Sequence, residues 1–181
     1  MALFAQRCLR VKKEQKRNPW LAALFLAYCG FMLYMLFIRN RSAIEGLPYW
    51  EQVCNNYNLK WFRTVENYWD VLTRPTYYID KWGGYEVYCV QVRIAVINLA
   101  GNIATFIPFG AFLPAMWPKL CRFWKAVPLG VAAVIVVEIL QLFSLRGKCD
   151  VDDLLLNTVG ILIGYGLWRM VQSIRKRKGR R

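Results

Sequence analysis

The chain has no histidine anywhere in its 181 residues. That removes the usual general base of near-neutral chemistry and the commonest metal ligand. Six cysteines are present, Cys8, Cys29, Cys54, Cys89, Cys121 and Cys149, but no two are spaced as C-x-x-C. A zinc or redox motif is therefore not supported, and the scattered thiols read as small apolar fillers. There is no G-x-S-x-G elbow, no P-loop and no H-E-x-x-H, so motif-borne hydrolase, nucleotide and zinc-protease chemistry finds no foothold. The run DVDD is too short and too poor in glycine for an EF-hand loop. No metal site is assigned and no cofactor is identified. No internal repeat is evident.

Charge is also missing, over long stretches. Hydrophobic residues make up 57% of the chain, and the mean hydropathy of +0.24 is high for a soluble domain of this size. The apolar residues come in blocks suited to membrane spans. The first, Pro19 to Ile38, carries no charge over 20 residues, enough for a hydrocarbon core about 30 Å thick. It is too long for a signal peptide and lacks an A-x-A cleavage pattern, so it reads as an uncleaved anchor. The second runs from about Arg93 to Trp117, with Pro108 and Pro114 expected to kink or end it. The third runs from about Phe123 to Leu145. The fourth runs from about Val151 to Met170, and its GILIG (Gly160 to Gly164) is a small-xxx-small packing face.

Where charge is present, it is one-sided. The formal net charge is +14. Six basic residues precede Asn18 and seven follow from Arg169 onwards. Both clusters flank apolar helices, and Lys119, Arg122 and Lys125 lie between the second and third spans with no acid beside them. This positive-inside pattern expects both termini in the cytoplasm. The basic tails suit anionic lipid and lack the stacking aromatics of a nucleic-acid face. The expected fold is all-α, a polytopic bundle of four transmembrane helices in a lipid bilayer. Its parts are a basic cytoplasmic N-terminus (1–18), a first span (19–38), an extracytoplasmic aromatic loop (39–91), a core of three spans (92–170) and a basic cytoplasmic tail (171–181). The loop holds six basic and six acidic residues and many Trp and Tyr. It is expected to rest on the outer surface, where such residues prefer to sit, rather than to close as a lid. A Cys54–Cys89 disulfide would suit an oxidising exterior, but nothing in the sequence fixes it.

With that orientation, polar residues converge on one depth. Glu138 lies roughly 10 Å before the outer end of the third span, and Gln141 shares its face. Asn98 and Asn102 share a face in the outer half of the second span. Asp150, Asp152, Asp153 and Asn157 begin the fourth span, and Arg146 lies in the turn before it. Asp150 suits an N-cap, and Asp152 and Asp153 suit a helix N-terminus. The amides can serve as interhelical glue. Capping leaves Glu138 unexplained. Its carboxylate is protonated, paired with Arg146, or hydrogen-bonded to Asn98 or Asn102, and the sequence does not choose. Two readings stand: a polar binding or catalytic pocket, with Glu138 and Asp150 as an acid–base pair if their pKa values are split, or a cluster that only locks the helices.

Two blocks carry a family resemblance. The first is NLAGNIATFIPFGAFLP, Asn98 to Pro114. The second is VEILQLFSLRGKCDVDDLLLNTVGILIG, Val137 to Gly164. Together they resemble the VanZ-like family of bacterial membrane proteins, with its Asn block, Phe-x-Pro-x-Gly turn, Glu-x-x-Gln, Asp-x-Asp-Asp and Asn-Thr-x-Gly. The matching positions are Asn98, Asn102, Pro108, Gly110, Glu138, Gln141, Arg146, Asp150, Asp152, Asp153, Asn157 and Gly160. The resemblance implies a multi-pass protein of a bacterial cell membrane. The family is named for a protein linked to resistance to the glycopeptide teicoplanin, whose target is lipid-linked peptidoglycan precursor. A glycopeptide or such a precursor is the partner it implies.

Overall fold

The computed structural model describes residues 19–38, 44 and 46–178. The basic segment 1–18, residues 39–43 and 45, and residues 179–181 lie outside the described residues. Helix α1 (Pro19–Leu33) continues as a π-helical stretch, Tyr34–Ile38. Three short helices follow: α2 (Tyr49–Asn55), α3 (Arg63–Thr73) and α4 (Pro75–Trp82), with strand β1 (Tyr57–Asn58) after α2. Then come α5 (Tyr85–Met116), a 3₁₀ turn (Pro118–Leu120), α6 (Phe123–Ser144), strand β2 (Cys149–Asp150) and α7 (Val151–Lys178). Four helices are long and apolar enough to cross a membrane: α1 with its π stretch, α5, α6 and α7. The protein is therefore an all-α multi-pass membrane protein, as the charge-free blocks imply.

The core is the triplet α5, α6 and α7, brought together by missing side chains. A Cβ on Gly160 or Gly164 of α7 would collide with the backbone oxygens of Ile103 or Ile107 on α5, and one on Gly110 would strike the backbone of Ile161. Backbones this close gain dispersion contacts that lipid cannot supply, so GILIG acts as the packing face. Ile161 is wholly buried, and a Cβ on Gly130 of α6 would lie 3.1 Å from its side chain. One stripe of α7 thus faces both neighbours. Helix α1 is peripheral. Tyr28 donates its hydroxyl hydrogen to Thr105 O at 2.8 Å, and Phe25 meets Phe112 edge-on at 5.5 Å.

Two boundaries differ from expectation. Helix α5 begins at Tyr85 rather than Arg93 and runs through both Pro108 and Pro114. Its 32 residues would measure about 48 Å, well beyond a hydrocarbon core. That surplus leaves room for its charged first turns, with Glu86 and Arg93, to lie outside an apolar layer. Helix α7 likewise extends past Met170 to Lys178, its last turn filled by Arg175, Lys176, Arg177 and Lys178, cations that complement the helix C-terminus.

The larger correction concerns the aromatic loop. It does not merely rest on a surface; it is built onto the end of the core. Strand β1 pairs in parallel with β2, Tyr57 opposite Cys149 and Asn58 opposite Asp150. Tyr49 Oη donates to Phe143 O at 2.7 Å, and Tyr88 Oη donates to Val71 O at 3.1 Å. Asn56 donates its amide to Gly147 O and accepts Cys149 N–H on its own carbonyl at 3.1 Å. Cys54 and Cys89 are free, exposed thiols.

Candidate functional site

The turn between α6 and α7 sets the site. Helix α6 ends in a Schellman arrangement, with Arg146 N donating to Gln141 O at 3.1 Å and Leu145 N to Leu142 O at 3.3 Å. Leu145 takes the left-handed conformation (φ 51°) usually reserved for glycine. Its side chain is buried, and that burial offsets the strain. The tight reversal makes α6 and α7 an antiparallel pair. Gly130 of α6 meets Ile161 of α7. Glu138 lies two turns from Gly130, and Asp153 two turns from Ile161, both towards the reversal. They therefore face each other at one level, with Asn157 one turn beneath.

The carboxylates divide into two groups. Asp150 and Asp152 are consumed by structure. Asp150 Oδ1 accepts Asp152 N–H at 2.9 Å, the N-cap bond expected of it. Its carboxylate also takes Asn58 Nδ2 at 3.2 Å and the Thr64 hydroxyl at 2.7 Å. Asp152 is fully buried (0% exposed) and accepts three backbone N–H groups: Phe62 at 2.6 Å, Thr64 at 2.7 Å and Val65 at 3.2 Å. Those are the orphan donors at the start of α3, whose own N-cap residue, Phe62, has no capping side chain. One helix of the core thus caps a helix of the loop. Phe62 itself sits at φ 62°, a strain that the carboxylate holds in place.

Glu138 and Asp153 form the second group. Glu138, 6% exposed, accepts only Asp150 N–H, at 3.4 Å. Asp153 accepts the Asn102 amide, which ties α5 to α7. Neither makes a further hydrogen bond among the described residues, and each lies within electrostatic reach of the other. Asn157 is 4% exposed, and its Oδ1 is buried without a donor. Cys149 stands at the rim. Burial raises its thiol pKa, and the charges of Glu138, Asp150 and Asp153 raise it further.

The remaining predicted site residues fall elsewhere. Asn98 is exposed and donates to Tyr68 Oη at 2.7 Å, so it joins α5 to the loop and not to Glu138. Gln141 is buried but donates to Leu36 O at 3.1 Å, where it holds the π-helical end of α1. Arg146 is half-buried and makes no ion pair with Glu138 among the described residues. Asn58, Thr64 and Asn56 were missed. The signal available was the start of α3, KWFRT, which has a phenylalanine where a capping residue belongs.

The family model described as VanZ/LLP1 matches residues 25–172, and the chain belongs to the VanZ-like family. No curated protein matches it, and neither does any solved structure.

Proposed function

We propose that this VanZ-like membrane protein binds the polar portion of a cell-envelope molecule in the cluster of Asn102, Glu138, Asp153 and Asn157. The charge pattern of the flanking segments supports placing that end of the bundle on the outer side of the membrane, and the family supports a bacterial cell membrane. Glycopeptides such as teicoplanin and lipid-linked wall precursors are encountered there, and the family's name makes them the first ligands to test. The observation that carries the reading is Asn157: a buried amide oxygen with no donor, beneath two carboxylates that each use a single hydrogen bond. Unspent acceptors cost stability in an apolar setting, and a cluster made only to lock helices would use them.

A structural role is favoured for Asp150 and Asp152, whose oxygens are occupied by the loop and by α7. Gln141 belongs with them. The lock-only reading thus applies to the rim, and the binding reading to the residues beneath it.

The test is direct binding of the purified protein to a panel of glycopeptides and lipid-linked wall precursors, with Glu138→Gln as the control. Saturable binding that weakens at least about tenfold in a variant of unchanged thermal stability is the expected outcome. Failure to bind any panel member, or a fully active Glu138→Gln, Asp153→Asn double variant, would refute the proposal.

A further inference from the structure

We infer that the chemical group taken by this cluster is a cationic amine, because Glu138, Asp153 and Asn157 together offer three uncommitted oxygens, two of them on carboxyl groups, against one uncommitted donor group, the Asn157 amide nitrogen. The inference rests on the binding reading above and narrows it. Two donors are committed, Asn102 Nδ2 to Asp153 and Asp150 N to Glu138, while Asn157 Nδ2 makes no hydrogen bond among the described residues. The uncommitted acceptors are the second oxygen of Glu138, the second oxygen of Asp153 and Asn157 Oδ1, of which Asn157 Oδ1 is the fully buried one. Asn157 lies on the same stripe of α7 as Asp153 and Ile161, so its amide points between α5 and α6 beneath the carboxylate pair.

Such a set discriminates among ligand chemistries. A phosphate or a carboxylate would find one free amide donor, Asn157 Nδ2, against three acceptor oxygens, two of them on acidic groups. A hydroxyl donates one hydrogen and satisfies one acceptor. An ammonium carries three N–H donors and a positive charge, which matches three acceptors and offsets the crowded carboxylates. Of the chain's own cations, Lys148 acts on Asp153 electrostatically from the rim but makes no ion pair with it among the described residues. Lys148 is exposed, Arg146 is half-buried, and among the described residues neither forms an ion pair with Glu138 or Asp153. A metal dication fits less well, because no group of three or more Cys, Asp or Glu among the described residues is placed to hold one.

The amine has three sources in a cell envelope: the stem peptide of a lipid-linked wall precursor, an amino group on a glycopeptide, and an ethanolamine headgroup. The full chain, in nanodiscs of phosphatidylcholine, separates them. One arm uses a wall precursor with a lysine amine in its stem peptide, beside the same precursor with that amine acetylated. A second uses a glycopeptide with a free amino group beside its N-acetyl derivative. A third replaces part of the phosphatidylcholine with phosphatidylethanolamine and asks whether it displaces either probe. The expected result is at least about a tenfold preference for the free amine in one arm or displacement in the third, lost in Glu138→Gln. Binding of amine and acetylated forms with equal affinity overturns this inference and leaves the binding reading standing. Absence of binding in every arm overturns both. The comparison of acetylated with free probe needs no variant, so a poorly folding mutant does not blunt it.

Discussion

Replacing Asp152 by alanine should detach the loop from the core without unfolding the core. The carboxylate is wholly buried and receives three backbone N–H groups between 2.6 and 3.2 Å. A hydrogen bond to a charged acceptor contributes about 1.5–3 kcal/mol, and three sharing one carboxylate fall short of additive. Loss of the cap also leaves the first turn of α3 with unsatisfied donors. A combined cost of about 3–5 kcal/mol is reasonable on that basis, a shift of roughly a hundredfold or more in the ratio of open to docked loop. The cost is local, because the glycine contacts of α5 and α7 do not involve Asp152. Hydrogen exchange read by mass spectrometry is the assay. Amides of Arg63–Thr73 should exchange much faster in Asp152→Ala, while the middle of α7, around Gly160 and Ile161, keeps its protection. Asp152→Asn should rescue in part, since its one oxygen can keep the Thr64 and Val65 N–H groups while its amide nitrogen opposes Phe62 N–H. Unchanged protection across Arg63–Thr73 in Asp152→Ala would mean that the carboxylate does not hold the loop.

Other outcomes follow from the same geometry. Asn157→Leu removes an orphaned oxygen from an apolar setting, so it should raise the thermal midpoint, by about 1–2 kcal/mol of stability, while abolishing ligand binding; a destabilised variant would show that the amide is structural. Gly164→Ala drives a methyl into the backbone of Ile107 and Ala111 and should cost about 1–3 kcal/mol or more, whereas Gly101→Ala meets nothing within 4 Å and should be neutral or stabilising in a thermal shift assay. The Cys149 thiol pKa is raised, so less thiolate is present at a given pH. Alkylation followed by peptide mass spectrometry should find it slower than at exposed Cys54 and Cys89 near neutral pH, accelerating as pH rises. Neutralising one of the carboxylates that raise it, by Glu138→Gln, should shift that acceleration to lower pH.

Some of this was legible in the sequence for physical reasons. Charge-free runs of span length admit little else, and two glycines four residues apart on an apolar helix mark a face. The common depth of Glu138 and the aspartates follows from helical rise and a short turn. Asp150 as N-cap needed only local rules. Partners distant in sequence were not legible. Asp152 looks like an ordinary first-turn acid of its own helix, yet it serves α3. Asp153 suits the N-terminus of its own helix, yet it takes Asn102. Asn98 shares a face with Asn102, but α5 starts earlier than its apolar run, and the outer residue meets Tyr68 of the loop instead. Aromatic composition alone cannot tell a segment lying on lipid from one lying on protein. That difference is decided by backbone hydrogen bonds, which composition does not record.

Capping α3 from α7 also fixes an order of assembly. Phe62 and Thr64 precede Asp152 by 90 and 88 residues. At ordinary rates of synthesis, of about 5–20 residues per second, the loop waits roughly 5–20 s after its own translation for the acceptor that completes it. Until Cys149 to Asp152 are made, strand β1 has no partner and α3 has no cap. The loop therefore closes only after the turn that leads into α7 has been synthesised.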